Sequence, residues 1–182
     1  MAMMPKRRQS KLQIDSFYSK DDPWGYFTNE HDYRRREIIV SELRKYNLIR
    51  ALDIGCGNGF VSEGIPAKNV VAVDISDAAI EEARRRSGSA SIDYRRASLF
   101  ELPSLDLGSF DCILITGVIY EQYIGKSLPL IYQLVDELLA PGGVLACVHI
   151  DEWSLARFPY ALIKTTRYKY RQYTHLLEVY RK

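Results

Sequence analysis

Cysteine is scarce in this chain, and the features that mark a secreted or membrane protein are missing. Cys56, Cys112 and Cys147 stand apart in apolar or glycine-rich contexts, without the Cys-x-x-Cys or Cys/His spacing that seats zinc. A reduced, cytoplasmic protein without a metal site is expected. No run reaches about 18 apolar residues, and Met1 to Ser10 sets Lys6, Arg7 and Arg8 among polar residues with no apolar h-region behind them. Secretion and membrane spanning are therefore not expected. Internal repeats and low-complexity stretches are absent too. With 47% hydrophobic and 26% charged residues, 11 Gly and 7 Pro, the composition is that of a globular protein. The 182 residues suffice for one domain with short extensions. The net charge of +2 is unevenly spread, with basic ends (Lys6 to Lys11, and Arg157 to Lys182) around an acidic body. Such ends can attract a polyanion, although a basic tail is more often only solvated.

From about Arg50 onward, short apolar runs alternate with amphipathic stretches, the pattern of a parallel sheet with crossover helices. Strands are expected over Ala51 to Ile54, Val70 to Val73, Ser91 to Tyr94, Phe110 to Ile115 and Val144 to Ile150. Asp77 to Arg86 reads as a helix capped by Ser76 or Asp77, with Ile80 and Ala83 inward and Glu81/Arg85 and Glu82/Arg86 paired outward. Leu128 to Leu139 carries apolar residues at helical spacing, and Pro141-Gly142-Gly143 is expected to stop that helix before the fifth strand. A further helix is expected over Asp32 to Tyr46. Thr166 to Arg171 and His175 to Arg181 read as two strands forming an antiparallel edge.

Leu52-Asp53-Ile54-Gly55-Cys56-Gly57-Asn58-Gly59 follows the first expected strand and is expected to open a helix, its glycines letting the backbone approach a ligand and present N–H groups. Asp74 ends the second strand, where a carboxylate can accept both hydroxyls of a ribose. The G-x-G-x-G spacing differs from the G-x-G-x-x-G of dinucleotide sites, so a ligand with ribose and no phosphate fits better.

This combination resembles the class I S-adenosylmethionine-dependent methyltransferases, whose loop cradles the amino-acid part of the cofactor and whose acid holds its ribose. More narrowly, the chain resembles the nodulation-protein-S family, rhizobial N-methyltransferases of an amino sugar. The likeness runs through Asp22-Pro23-Trp24, the acid and arginine Asp32 and Arg35, Leu52 to Gly59, Ala72-Val73-Asp74-Ile75, Phe110-Asp111, Val118-Ile119-Tyr120, Leu139-Ala140-Pro141-Gly142-Gly143, Leu176-Leu177 and Arg181-Lys182. It implies an α/β fold: a Rossmann-like, mostly parallel seven-stranded sheet with an antiparallel edge strand, in a single domain over 31–182, preceded by a tail and helical lid over 1–30. It also implies S-adenosylmethionine as cofactor, S-adenosylhomocysteine as product, and no metal. The residues it assigns to the cofactor are Trp24, Arg35, Asp53, Gly55, Cys56, Gly57, Gly59, Asp74, Ile75, Ser98, Leu99 and Thr116. Two positions depart from that family. Ser98 stands where it has an acid for the adenine amino group, and Gly117 stands where it has a glutamate, with Glu121 four residues later.

An ammonium or hydroxyl acceptor must lose a proton before or during attack, so a base is sought beyond the carboxyl ends of the strands. Tyr120, Glu121 and His149 are the candidates. Each also has a plain structural reading: a core-edge aromatic, a helix-start carboxylate and a satisfied strand histidine. The acceptor expected is a polar small molecule, most directly the amine of an amino sugar, walled by Trp24, Tyr26, Tyr33, Tyr120 and Tyr123. O-methylation of a metabolite, a nucleic-acid methyltransferase and a non-catalytic cofactor-binding subunit remain open alternatives. Against the second, Thr116-Gly117-Val118-Ile119-Tyr120 lacks the Asn/Asp-Pro-Pro-Tyr/Phe motif of amino-directed base methyltransferases.

Overall fold

The computed structural model describes residues 9–20, 22–153 and 157–182. In chain order the elements are α1 (Lys11–Tyr18), α2 (Glu30–Leu43), β1 (Leu48–Ile54), β2 (Ala67–Asp74), α3 (Asp77–Arg86), β3 (Ile92–Arg96), β4 (Phe110–Thr116), α4 (Glu121–Ile124), α5 (Leu128–Leu138), β5 (Leu139–Ile150), β6 (Ala161–Tyr170) and β7 (Tyr173–Arg181). The strands form one seven-stranded sheet in the order β3-β2-β1-β4-β5-β7-β6. The strands from β3 to β5 run parallel, whereas β7 runs antiparallel to both β5 and β6. The expected architecture is the one found.

Successive strand residues alternate between two cores. Ala51, Val70, Ala72, Cys112, Leu114, Ala146 and Val148 face Ile39 and Leu43 of α2 and Ile80 and Ala83 of α3. Leu52, Ile54, Val73, Ile113, Ile115, Leu145 and Cys147 face Leu99, Leu102 and the α5 residues Ile131, Leu134, Val135 and Leu138. Because both faces are covered, the central strands read as unbroken apolar runs. α3 has the expected bounds: Ser76 accepts from the Ala79 amide at its start, and Glu82 pairs with Arg85 and Arg86 on its outer face.

Two expectations are corrected. No α-helix follows the glycine loop; there is a single 3-10 turn over Ser62–Gly64. Gly64 and the donor-less Pro66 end the turn, and β2 begins at Ala67, so the chain has no room for a second one. Nor does Pro141-Gly142-Gly143 separate α5 from β5. It lies within β5, where the pairing with β4 is irregular between Phe110 and Cys112 and Gly142 takes a φ of +73°. The Gly142 amide donates to the Lys182 carbonyl and the Lys182 amide to that of Gly143, so the end of the chain supplies the strand partners. The helix expected over Asp32 to Tyr46 is α2, beginning earlier at Glu30 behind an Asn29 cap and ending at Leu43. Among the described residues no helix is long and apolar enough to cross a membrane.

Candidate active site

The glycine loop directs most of its amides inward. Gly55 and Cys56 donate to the Val73 carbonyl at 2.8 and 3.0 Å, Gly59 donates to the Cys56 carbonyl at 3.0 Å, and Gly57 donates to Asp74 Oδ2 at 2.9 Å. The Gly55, Cys56 and Gly57 amides tie the loop to the end of β2 and the Gly59 bond closes the loop on itself, so these amides do not stand free for a ligand, which corrects the reading of the loop as an open row of N–H groups. Gly55 has a φ of +78°, and a Cβ there would lie 2.1 Å from Val118 Cγ2. Gly57, at +54°, faces elsewhere: its Cβ would lie 2.8 Å from the Tyr18 hydroxyl of α1.

Above the loop lies a small cavity of about 30 Å3 lined by Tyr26, Arg35, Asp53, Gly55, Cys56, Gly57, Phe60, Val61 and Thr116. β1 brings Asp53 to it, 1% exposed, accepting from the Ser62 hydroxyl at 2.6 Å. Burial pushes this carboxyl up to about 6. α2 brings Arg35, 6% exposed, with its guanidinium over the rings of Tyr26 at 5.0 Å and Tyr170 at 5.3 Å. The acid and arginine of α2 are thus a buried pair, not a surface one. Arg35 Nη2 lies 3.5 Å from Asp32 Oδ1, and Asp32 also accepts from Tyr170 at 2.6 Å and from Arg171 at 2.7 Å. Arg35 Nε, Thr116 Oγ1 and both polar atoms of the Asn58 side chain are buried with no hydrogen-bond partner among the described residues. Buried polar groups are ordinarily satisfied, so the unsatisfied Arg35 and Thr116 in the cavity lining, with Asn58 in the adjoining loop, suit a polar ligand.

The remaining residues assigned to the cofactor lie beyond this cavity. Asp74, at the end of β2, also accepts from the Ser76 amide at 3.0 Å through Oδ1, and burial raises its carboxyl. A carboxylate has about four acceptor positions, so both oxygens keep capacity for hydroxyls. Tyr18 covers this half of the cleft, its hydroxyl accepting from Trp24 Nε1 at 3.1 Å, and Trp24 stacks on Tyr26 at 6.2 Å. Ser98 opens the 3-10 turn Leu99–Leu105 in a capping box with Glu101, whose carboxylate accepts from the Ser98 amide at 2.7 Å. Leu99 is core and Ile75 is half-buried.

The three candidate bases are not brought together. Tyr120 is buried and accepts from the Ile150 amide at 2.7 Å, its ring meeting Trp153 edge-on at 5.7 Å and Tyr123 at 6.3 Å. Glu121 is exposed on the first turn of α4. His149 follows Cys147 on the sheet face opposite Thr116, with Nε2 3.5 Å from Glu178 Oε2. Burial and Arg157 hold its imidazole down at about 4. Tyr18, Asn58, Phe60 and Val61 are additions that the sequence reading missed. For Asn58 the signal was present, a polar side chain between two loop glycines. For the others no local pattern announces the role.

Comparison with known proteins agrees with this geometry. Residues 52–147, more than half the chain, match the family described as a methyltransferase domain. A ubiquinone biosynthesis O-methyltransferase of Xanthomonas campestris pv. campestris is 33% identical over 100 residues, covering 53% of this chain and 41% of that protein. Its counterpart in Hahella chejuensis is 37% identical over 68 residues, covering 35% and 29%. The match therefore spans less than half the length of these curated relatives. Among solved structures, the N-methyltransferase NodS of Bradyrhizobium japonicum WM9, in complex with S-adenosyl-L-homocysteine, superposes with a TM-score of 0.77 at 18% identity, over 94% of this chain and 97% of that one. The magnesium protoporphyrin IX methyltransferase of Synechocystis PCC 6803, with bound SAM, gives 0.69 at 14% identity, over 98% and 100%. At such identities the likeness is one of fold. Sheet order, glycine loop and the matched span agree: the chain belongs to the methyltransferase-domain family and has the class I methyltransferase fold.

Proposed function

We propose that the protein transfers a methyl group from S-adenosylmethionine to a polar small molecule, the amine of an amino sugar or a related metabolite. The observation that carries this reading is the cavity that holds Asp53 and Arg35 together. An α-amino acid end presents one ammonium and one carboxylate, and the cavity offers one buried carboxylate and one buried guanidinium with a free Nε. Asp53 takes the ammonium, Arg35 the carboxylate, and Asn58 and Thr116 supply the remaining hydrogen bonds. Asp74 accepts from the ribose hydroxyls. When bound, the cofactor supplies a methyl group on a sulfonium that needs no activation by the protein. What this chain must do is align the acceptor with that carbon, a contribution of roughly 7 to 11 kcal/mol in well-oriented systems.

An amine that arrives as a cation must give its proton up to water before it attacks, so that its lone pair is free. Burial and the Arg35 cation hold His175 at about 3, and the same surroundings keep an amine unprotonated without a dedicated base. Exposed Glu121 suits recognition of an incoming cation at the mouth. The names of the curated relatives favour a hydroxyl acceptor as the second reading. Incubation with methyl-labelled S-adenosylmethionine, glucosamine and a small-molecule metabolite extract separates the two, with label expected on nitrogen. Label on oxygen establishes the second reading, label in added RNA or DNA refutes a small-molecule acceptor, and no binding of S-adenosylhomocysteine by calorimetry refutes the function itself.

A further inference from the structure

Three buried polar groups of the β6–β7 hairpin, Tyr168, His175 and Tyr180, have no hydrogen-bond partner among the described residues, and the first two lie side by side. Tyr168 of β6 pairs in register with His175 of β7, and His175 pairs with Ile150 of β5, so the three form one row at the carboxyl end of β5. Tyr168 and His175 are each 6% exposed, and neither Tyr168 Oη nor His175 Nδ1 has a hydrogen-bond partner among the described residues. Their placement is fixed by packing: the imidazole stacks on Tyr170 at 4.1 Å and meets the Tyr168 ring at 5.7 Å, nearly edge-on. The neighbouring Tyr170 shows the usual arrangement, donating to Asp32 at 2.6 Å. The row reaches the cleft through Arg35, which lines the cavity, sits over the Tyr170 ring at 5.3 Å and interacts electrostatically with Tyr168 and His175. The Ile150 amide donates to Tyr120 Oη at the start of α4.

We propose that Tyr168 and His175 hold the methyl acceptor, each accepting one N–H bond of a primary amine. The proposal rests on the methyl-transfer reading of the cleft and names the residues that complete it. A neutral primary amine has two N–H donors and one lone pair. Two fixed acceptors take the donors and leave the lone pair directed at the methyl carbon. The Tyr168 O–H remains to donate to a neighbouring hydroxyl of the acceptor. In the transfer the nitrogen lone pair forms the N–C bond, the C–S pair stays on sulfur, and the product leaves as a methylammonium that sheds its proton to water.

The test uses Tyr168→Phe and His175→Phe, which keep the rings and remove the polar atoms, in the full chain. A group that serves only structure loses stability when removed, whereas an unsatisfied hydroxyl does not. Tyr168→Phe is therefore expected to melt no lower than wild type and to bind S-adenosylhomocysteine within twofold of it. Transfer of label to glucosamine, or to whichever compound of a metabolite extract the wild type labels, is expected to fall at least tenfold in kcat/KM. His175→Phe should behave likewise. Unchanged transfer in both variants, or a loss of transfer that only tracks a lower melting temperature, overturns the assignment and leaves the methyl-transfer reading standing. No labelled product from wild-type protein that binds S-adenosylhomocysteine overturns both.

Discussion

Replacing Asp53 by asparagine should make the protein more stable and a worse binder at the same time. The carboxyl is fully buried, its only side-chain partner among the described residues is the Ser62 hydroxyl, and burial moves it from 3.8 to about 6. A shift of that size corresponds to about 3 kcal/mol against the ionised form. The sign follows from linkage. The folded state holds this proton more tightly than the unfolded chain, so its contribution is fully present below about pH 4 and is lost as the pH rises through about 6. Asparagine keeps an oxygen for Ser62 and never ionises. The stability difference between Asp53→Asn and wild type should therefore be near zero at pH 4 and grow to about 3 kcal/mol at pH 7, a rise in Tm of about 6 to 12 °C for a chain of this size. Subtracting the two proteins cancels the other carboxyls raised by burial, such as Asp74 and Glu178.

The binding side runs the other way. With the cofactor in place, the ionised carboxylate meets an ammonium, and a hydrogen bond to a charged group is worth about 1.5 to 3 kcal/mol. Asp53→Asn should accordingly weaken S-adenosylhomocysteine by about 10- to 150-fold at pH 7.5. Thermal melts at half-unit steps from pH 4 to 8, with calorimetry at pH 7.5, measure both. A stability difference that is flat with pH, or an affinity that survives the substitution, would show that Asp53 is not the ammonium site.

Arg35→Gln should lower affinity for S-adenosylhomocysteine by about 10- to 150-fold, since a charged hydrogen bond of about 1.5 to 3 kcal/mol is removed; calorimetry that finds the two proteins equal would place the carboxylate elsewhere. Gly57→Ala should destabilise by about 1 to 2 kcal/mol, because alanine at a φ of +54° is strained and its methyl meets the Tyr18 hydroxyl; denaturant titration reads the loss. Deleting residues 1–20 should leave the melting temperature within a few degrees, since α1 has no buried residue and is tied to α3 through Lys11 and Asp15 at Asp77. The same deletion should speed release of S-adenosylhomocysteine in a stopped-flow measurement, and an unchanged release rate would remove α1 as a cover.

What could be read in the sequence was local. α3 announces itself through its Ser76 cap and the inward Ile80 and Ala83, and β1, β2, β4 and β5 through apolar runs that two covered faces require. The placement of Asp53 and Asp74 was legible because each sits next to the glycine loop or at a strand end, where topology alone fixes the environment. The missing helix after the loop was misread because the glycine motif is tied by habit to a helix, while Gly64 and Pro66 argued against one. Pro141-Gly142-Gly143 was misread because a helix stop and an irregular strand start use the same residues. The burial of Arg35 depends on Tyr26 and Tyr170, and that of Asp32 on Tyr170 and Arg171, partners up to 139 residues away. No window of sequence contains both sides of such a contact. Tyr168 and His175 alternate with charged residues on an edge hairpin and look like ordinary strand positions until the third strand is laid beside them.

Five of the polar side chains that carry a buried atom without a partner among the described residues show how the site is built. Arg35 Nε, the Asn58 amide, Thr116 Oγ1, Tyr168 Oη and His175 Nδ1 arise from a helix, a loop and three different strands. They gather toward the carboxyl ends of the strands, where a doubly wound sheet opens its crevice. Each costs the empty protein about 1 to 3 kcal/mol, and the cost is borne because the two apolar cores hold these side chains in place regardless. α1, by contrast, buries no residue and is fastened by exposed pairs. A ligand entering the cleft therefore finds its floor already arranged and must only move or order the cover. Substitutions in the floor should change affinity and leave entry rates alone, while substitutions in α1 should change entry and release together and leave the intrinsic match between cavity and ligand intact.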